Sequence, residues 1–203
     1  MSTGKDAVAA LRAGQPVVLP FDTVYGLAAE PHRADSTERL YRLKGRPADQ
    51  PSAIVAAGVD VLFELVPELA GRPATLARAL LPGPLTLILP NPARRFPWIT
   101  GTNPEAIGVR VPELTGVGAE VVGALGAVVA TSANRPGGPD PSRIDEVPEE
   151  LRAGAGAVVD GGPLPGAPST VVDLTGDEPR ILREGALAGE ELLRRLGPAV
   201  RSS

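Results

Sequence analysis

Lys44-Gly45-Arg46-Pro47 places a lysine and an arginine two residues apart around a glycine. Lysine supplies a point charge and arginine a planar fork of donors, so the pair suits phosphate or carboxylate. Other segments carry groups of the same kind. Pro20 to Leu27 presents an acid, Asp22, a hydroxyl, Thr23, and a phenol, Tyr25, ahead of Gly26. Leu81-Pro82-Gly83-Pro84-Leu85-Thr86 is a stiff turn suited to shaping a pocket wall. Gly108-Val109-Arg110-Val111-Pro112 sets an arginine in an apolar run. Burying it unpaired is costly, so Arg110 must face a ligand, a carboxylate or solvent. Ala130-Thr131-Ser132-Ala133-Asn134 offers hydroxyls and an amide, and Gly137-Gly138 beyond it permits close backbone approach. Ser169-Thr170 and Arg183 repeat the theme. Taken singly, each segment also reads as an ordinary strand exit, or as a helix end whose cations complement the dipole.

Other chemistries are excluded. The chain of 203 residues has no cysteine and one histidine, His32. Thiol nucleophiles, Cys-based metal sites and a Ser-His-Asp triad on any other histidine are therefore ruled out. Neither the P-loop nor the dinucleotide-binding glycine pattern occurs. A bound nucleotide would have its phosphates held by scattered Lys, Arg, Ser and Thr. The net charge of −4 argues against non-specific nucleic-acid binding as the main task. The N-terminus lacks an apolar signal segment and no apolar run reaches membrane-spanning length, which predicts a cytoplasmic protein with no membrane partner.

The positioning elements follow from periodicity and punctuation. Helical spacing is read over 5–13, ended by Gly14, and from an Asp35 N-cap with Glu38 in a capping box to Lys44-Gly45. Further helices are read at 59–66, 73–81 and 116–125, with a closing helix at 189–196. Strands are read at 17–20, 53–56, 85–90, 107–111, 127–131, 157–160, 170–174 and 180–183, and residues 21–26 as a loop. Strands alternating with helices, without repeats, indicate an α/β fold. The short strands and irregular connections predict a mixed sheet with helices on its faces, in a single domain over 1–203 with its core at about 7–185. Ligands in such sheets bind at strand ends, where these chemical segments fall.

In this order and spacing, PFDTVYGL, LYRLKGRP, PGPLTLIL, IGVRVP, TSAN and STVVDL…ILREG resemble the YrdC-like family, the L-threonylcarbamoyladenylate synthases, from about Ala7 to Gly185. The resemblance is to the family's short form. It implies a twisted mixed α/β fold with a deep, positively charged cavity. It implies a nucleotidyltransferase that converts L-threonine, bicarbonate and ATP, with Mg2+, into threonylcarbamoyl-AMP and pyrophosphate. That product would feed a downstream tRNA threonylcarbamoyl transferase complex and the threonylcarbamoyladenosine modification. The resemblance assigns Lys44 and Arg46 to catalysis through charge stabilisation. It assigns Thr23, Arg110, Ala130 and Thr170 to threonine, and Arg46, Gln50, Ser132, Asn134, Ser169 and Arg183 to the nucleotide.

Several ligand positions depart from the family pattern. Gln50 stands for an asparagine, Val55 for a histidine near threonine, Ala106 for a threonine and Asp140 for a serine. Phe21-Asp22 stands for the family's Thr-Glu or Thr-Asp. These changes leave open a relative that handles carbamoyl-adenylate and a diverged paralogue. An RNA-binding module with weak tRNA affinity is a third reading, since Arg39, Arg42, Lys44 and Arg46 make a local basic edge. The acidic balance and scarce aromatics count against it.

Overall fold

Thr3 opens the chain's first helix by accepting a bond from the Asp6 amide while Asp6 reaches back to Thr3, a reciprocal cap on α1 (Gly4–Arg12). In this computed structural model, which describes residues 1–200 and the side chains of 1–197, α1 leads into β1 (Val17–Pro20). A tight turn then reverses the chain into β2 (Tyr25–Ala29). The remaining elements are α2 (Ala34–Lys44), β3 (Ala53–Ala56), α3 (Val59–Leu65), α4 (Gly71–Leu80), β4 (Leu85–Pro90), β5 (Ala106–Arg110), α5 (Gly116–Leu125) and β6 (Ala127–Ser132). A turn of 3-10 helix (Ile144–Glu146) follows, then α6 (Glu149–Gly154), β7 (Ala157–Val158), β8 (Thr170–Asp173), β9 (Arg180–Arg183) and α7 (Gly189–Val200).

The nine strands among the described residues join one sheet in the order β7-β1-β2-β6-β3-β5-β4-β8-β9. The sheet is mixed: β1/β7, β3/β5 and β4/β8 run parallel, and the other neighbours antiparallel. The α/β class and mixed sheet read from the sequence are those observed.

Side-chain alternation assigns the faces. Ile54, Leu85, Leu87, Leu89, Val109, Val129 and Val172 pack one way, against α3, α4 and α7 through Leu62, Leu76, Leu80, Leu192 and Leu196. Over β1 and β2 that same face is covered by α2 and α6, through Leu40 and Leu151. On the other face, α1 and α5 cover the β7-β1-β2-β6 end through Leu11, Val121 and Val122. Among the described residues, no helix covers the rest of that face, over the Ala53 end of β3 and over β5, β4 and β8.

Two readings from the sequence are corrected here. Residues 21–26 are not all loop, because β2 begins at Tyr25 and pairs with β1 through Pro20↔Tyr25. Its Tyr-Gly-Leu-Ala-Ala run is buried throughout, so it shows no polar alternation, and Gly and Ala are poor strand formers. The Asp35/Glu38 capping box is absent: α2 starts after Arg33 with no side-chain cap. Asp35 instead accepts from Arg33 Nη2 at 2.8 Å and pairs with Arg39 at 3.0 Å. Two guanidiniums outcompete a lone backbone amide for that carboxylate.

Candidate active site

The bare part of the sheet forms the floor of a cavity of about 300 Å³. Its smallness of side chain is what makes room. Ala130, Ala53, Gly108 and Ile88 are register partners on β6, β3, β5 and β4, so two alanines and a glycine lie in one row across three strands. Thr86, Ile88 and Val171 continue the floor, and Thr23, Arg46, Ser132, Asp140, Ser169 and Arg183 rise around it.

Arg46 reaches the cavity because α2 ends in a left-handed cap. Gly45 has φ of 67° and nothing within 4 Å of a would-be Cβ, so glycine is there for its backbone freedom. Arg46 Nη2 donates to the Pro51 carbonyl, which holds the guanidinium against the 50–53 segment. Burial lowers its pKa, while Tyr41 beside it acts in the opposite sense.

Arg110 ends β5 on the cavity side, its side chain 13% exposed. Its Nη2 donates to Asp22 Oδ1 at 2.7 Å and to Thr23 Oγ1 at 3.3 Å. The pair is half made, since Arg110 Nε and Asp22 Oδ2 are both buried without a partner. Burial and then Asp22 act on the Arg110 pKa in opposite senses, and nearby Arg183 pushes it further down. Burial also raises the Asp22 carboxyl against the pull of Arg110. Two guanidiniums facing one cavity repel, so an anion between them relieves the site.

The opposite wall is hydroxyl-rich. Thr86 Oγ1 and Ser169 Oγ are 2.8 Å apart, and Arg183 Nη2 donates to the Ser169 carbonyl at 2.8 Å and to its Oγ at 3.3 Å. The glycine of Ile181-Leu182-Arg183-Glu184-Gly185 is needed for this packing. A Cβ on Gly185 would sit 2.1 Å from the Pro168 carbonyl oxygen and 2.6 Å from the Ser169 carbonyl carbon.

Lys44 stands one layer behind the cavity. It is buried and its ammonium donates to Thr131 Oγ1 at 3.1 Å, to Asn134 Oδ1 at 2.9 Å and to the Ser132 carbonyl. Burial and the adjacent Arg46 push its pKa down to about 8, with Asp140 pulling it back up. Asn134 turns its amide to the Gly138 carbonyl at 2.6 Å and to Asp140 Oδ1 at 3.2 Å, and accepts from Ser132 Oγ at 2.8 Å. Lys44 and Asn134 thus clamp the exit of β6, which carries Thr131 and Ser132 to the wall.

Of the residues singled out from the sequence, Thr23, Arg46, Arg110, Ala130, Ser132, Ser169 and Arg183 meet around one cavity. Thr170 does not. Its Oγ1 faces away, donating to the Leu187 carbonyl at 2.6 Å and accepting from the Gly185 and Leu187 amides. Strand alternation is the reason, because Ser169 and Val171 line the cavity and Thr170 between them is buried. Gln50 is exposed and off the wall; its backbone carbonyl, not its amide, meets Arg46 Nε at 3.5 Å. Val55 is buried in the α1/α5 core, and the Pro82-Gly83-Pro84 turn lies away from the cavity. Asp140 is on the wall, and Asp22 was missed as the partner of Arg110. An acid two places after a strand-ending proline was the only signal for it.

Comparison with known proteins places the chain in a family and a fold. The family model Sua5_yciO_yrdC, described as telomere recombination, matches residues 9–185. The threonylcarbamoyl-AMP synthase of Bacillus subtilis is 34% identical over 194 residues, covering 95% of this chain and 56% of that protein. The crystal structure of Pyrococcus abyssi Sua5 complexed with L-threonine superposes with a TM-score of 0.87 at 34% identity, over 96% of this chain and 57% of that one. Escherichia coli YciO superposes with a TM-score of 0.82 at 26% identity, over 94% of this chain and 92% of its own. This chain therefore spans a little over half the length of the first two.

Proposed function

The chain belongs to the Sua5/YciO/YrdC family, and we propose that it is a threonylcarbamoyl-AMP synthase that joins L-threonine, bicarbonate and ATP. The observation that carries this reading is the convergence of Arg46, Arg110 and Arg183 with Thr23, Thr86, Ser132 and Ser169 over a floor of Ala53, Gly108 and Ala130. Such a cavity offers charge and hydrogen bonds, with no thiol or imidazole on its lining. The reaction asks for that. The amine of threonine combines with bicarbonate to give a carbamate and water. A carbamate oxygen then attacks the α-phosphorus, the bond to the β-phosphate bridge breaks, and pyrophosphate leaves. Positioning and charge neutralisation supply the catalysis.

In this reading Arg110 and Thr23 hold threonine beside the Ala130 backbone, with Arg110 Nε free for its carboxylate. Arg46, Ser132, Ser169 and Arg183 hold the nucleotide. Lys44 and Asn134 act from behind, by fixing the Thr131-Ser132 exit and adding charge. Among the described residues Asp140 is the one carboxylate lining the cavity, and no group of three or more metal-ligating side chains occurs among them. A Mg2+ ion would then be held mainly by the triphosphate and water, with Asp140 as its protein ligand, and would offset negative charge there. The product would pass to a tRNA-modifying transferase.

The test is pyrophosphate release with each substrate omitted in turn. We expect release to require threonine, bicarbonate and ATP together, and Arg46→Ala to lower it by on the order of 10²-fold with the fold intact. Release without threonine, or with carbamoyl phosphate in its place, would replace this reading by carbamoyl-adenylate chemistry.

A further inference from the structure

Two buried hydroxyls beside the cavity lack a partner. Tyr41 Oη and Ser52 Oγ are shielded from solvent and make no hydrogen bond among the described residues. Tyr41 is 5% exposed and Ser52 7%. A buried hydroxyl left unpaired costs stability, so such atoms call for a reason. The backbone explains where they stand. Tyr41 lies in the last turn of α2, and its carbonyl accepts from the Arg46 amide at 2.9 Å. Ser52 leads into β3, lines the cavity, and donates its amide to the Ile99 carbonyl at 2.9 Å.

Arg46 is the neighbour these hydroxyls share. Its guanidinium meets the carbonyl of Pro51, next to Ser52 in the chain, and Tyr41 stands beside it. Burial raises the pKa of the phenol, and Ser52 and then Arg46 pull it back. The hydroxyl is therefore close to both groups without bonding either. Packing does not ask for it. The Tyr41 ring belongs to the core on the α2 and α6 side of the sheet, and a phenylalanine would fill that place without burying an oxygen.

Arg46 has donors to spare. A guanidinium carries five N–H groups. Here Nη2 meets the Pro51 carbonyl and Nε the Gln50 carbonyl at 3.5 Å. A further N–H turned to Tyr41 Oη, with the phenol donating to Ser52 Oγ, would pair every group in the set. Tyr41 is not on the cavity lining, so it acts on a ligand only through Arg46. We propose that Tyr41 is a positioning residue for the nucleotide: its hydroxyl, backed by Ser52, accepts from Arg46 when phosphates occupy the cavity and holds the guanidinium on them. This rests on the reading that Arg46 faces the nucleotide.

The test is a double-mutant cycle in the full chain, read by equilibrium binding of ATP and by KM for ATP and for threonine. Tyr41→Phe keeps the ring and removes only the hydroxyl. It should weaken ATP about tenfold, as loss of one hydrogen bond to a charged group does. KM for threonine should stay the same and the denaturation midpoint should not fall. In an Arg46→Ala background, Tyr41→Phe should weaken ATP no further. A hydroxyl with only a structural role would leave ATP affinity unaltered, and that result would overturn the proposal. So would an equal loss of ATP affinity with and without Arg46, or a matching rise in KM for threonine. Direct binding needs no turnover, so the cycle is readable even where no pyrophosphate is released. A wild-type chain that binds no ATP would remove the nucleotide site and this role together. ATP bound equally by wild type and Tyr41→Phe would remove the positioning role alone.

Discussion

Lys44 and Arg46 are two residues apart and face different surroundings. Arg46 touches the cavity, whereas Lys44 is enclosed by Thr131, Ser132 and Asn134. With its pKa pushed down to about 8, Lys44 loses its charge as pH rises through that value. The account of a charge-stabilised nucleotide therefore predicts that kcat/KM for ATP falls above about pH 8, along one ionisation. Lys44→Arg should flatten that limb, since arginine stays charged. A flat wild-type profile through the same range would contradict it. The sign for stability is opposite. The folded chain releases this proton at about 8 and an ordinary lysine at 10.5, so stability should rise with pH across that window. From the sequence, the two cations and their glycine were readable as an anion site. What was not readable is that one of them is walled off, because the acceptors around Lys44 come from the end of β6 and the turn after it, 87 to 90 residues away.

At the scale of elements, the floor row decides whether a ligand fits. Ala53→Leu adds bulk where Ala130, Ala53 and Gly108 align, on a side chain that faces the cavity and not the core. It should leave the denaturation midpoint nearly unchanged and raise KM for threonine or ATP at least tenfold. A variant with unaltered KM would remove the floor from the site. Tyr25 tests the turn into β2. Its hydroxyl lies 2.9 Å from Asp160 Oδ1 and from the Gly162 carbonyl, and accepts from the Gly161 amide at 2.9 Å. Burial, opposed by the Gly161 amide, pushes its pKa up to about 12, so it remains a donor at physiological pH. Tyr25→Phe should cost about 1 kcal/mol in chemical denaturation, the usual net worth of such bonds. The helices at 59–66, 73–81 and 116–125 were readable from spacing, and lie close to α3, α4 and α5. β2 was not, because a strand buried on both sides and built from Gly and Ala carries no period to detect. The capping box failed because local sequence cannot show that arginines on either side claim Asp35.

For the whole molecule, the α/β class followed from alternation, but strand order did not. Nothing local tells β6 to lie between β2 and β3, or β8 beside β4. That order brings residues from Thr23 to Arg183 to one cavity, and it leaves one half of one sheet face without a helix. The site was therefore recoverable as a set of segments at strand ends, and only the ordering of strands explains why they meet. It also explains why Thr170, on the alternate side of β8, does not join them. Among the described residues no helix is long and apolar enough to cross a membrane. The most direct measurement supplies the full chain with ATP, L-threonine and isotopically labelled bicarbonate, and follows the product by mass spectrometry together with pyrophosphate. The expected result is an adenylate that carries both threonine and the bicarbonate label, formed in equal amount with pyrophosphate. Pyrophosphate formed with an adenylate that lacks threonine, or no adenylate from a folded chain, would contradict the proposed synthase.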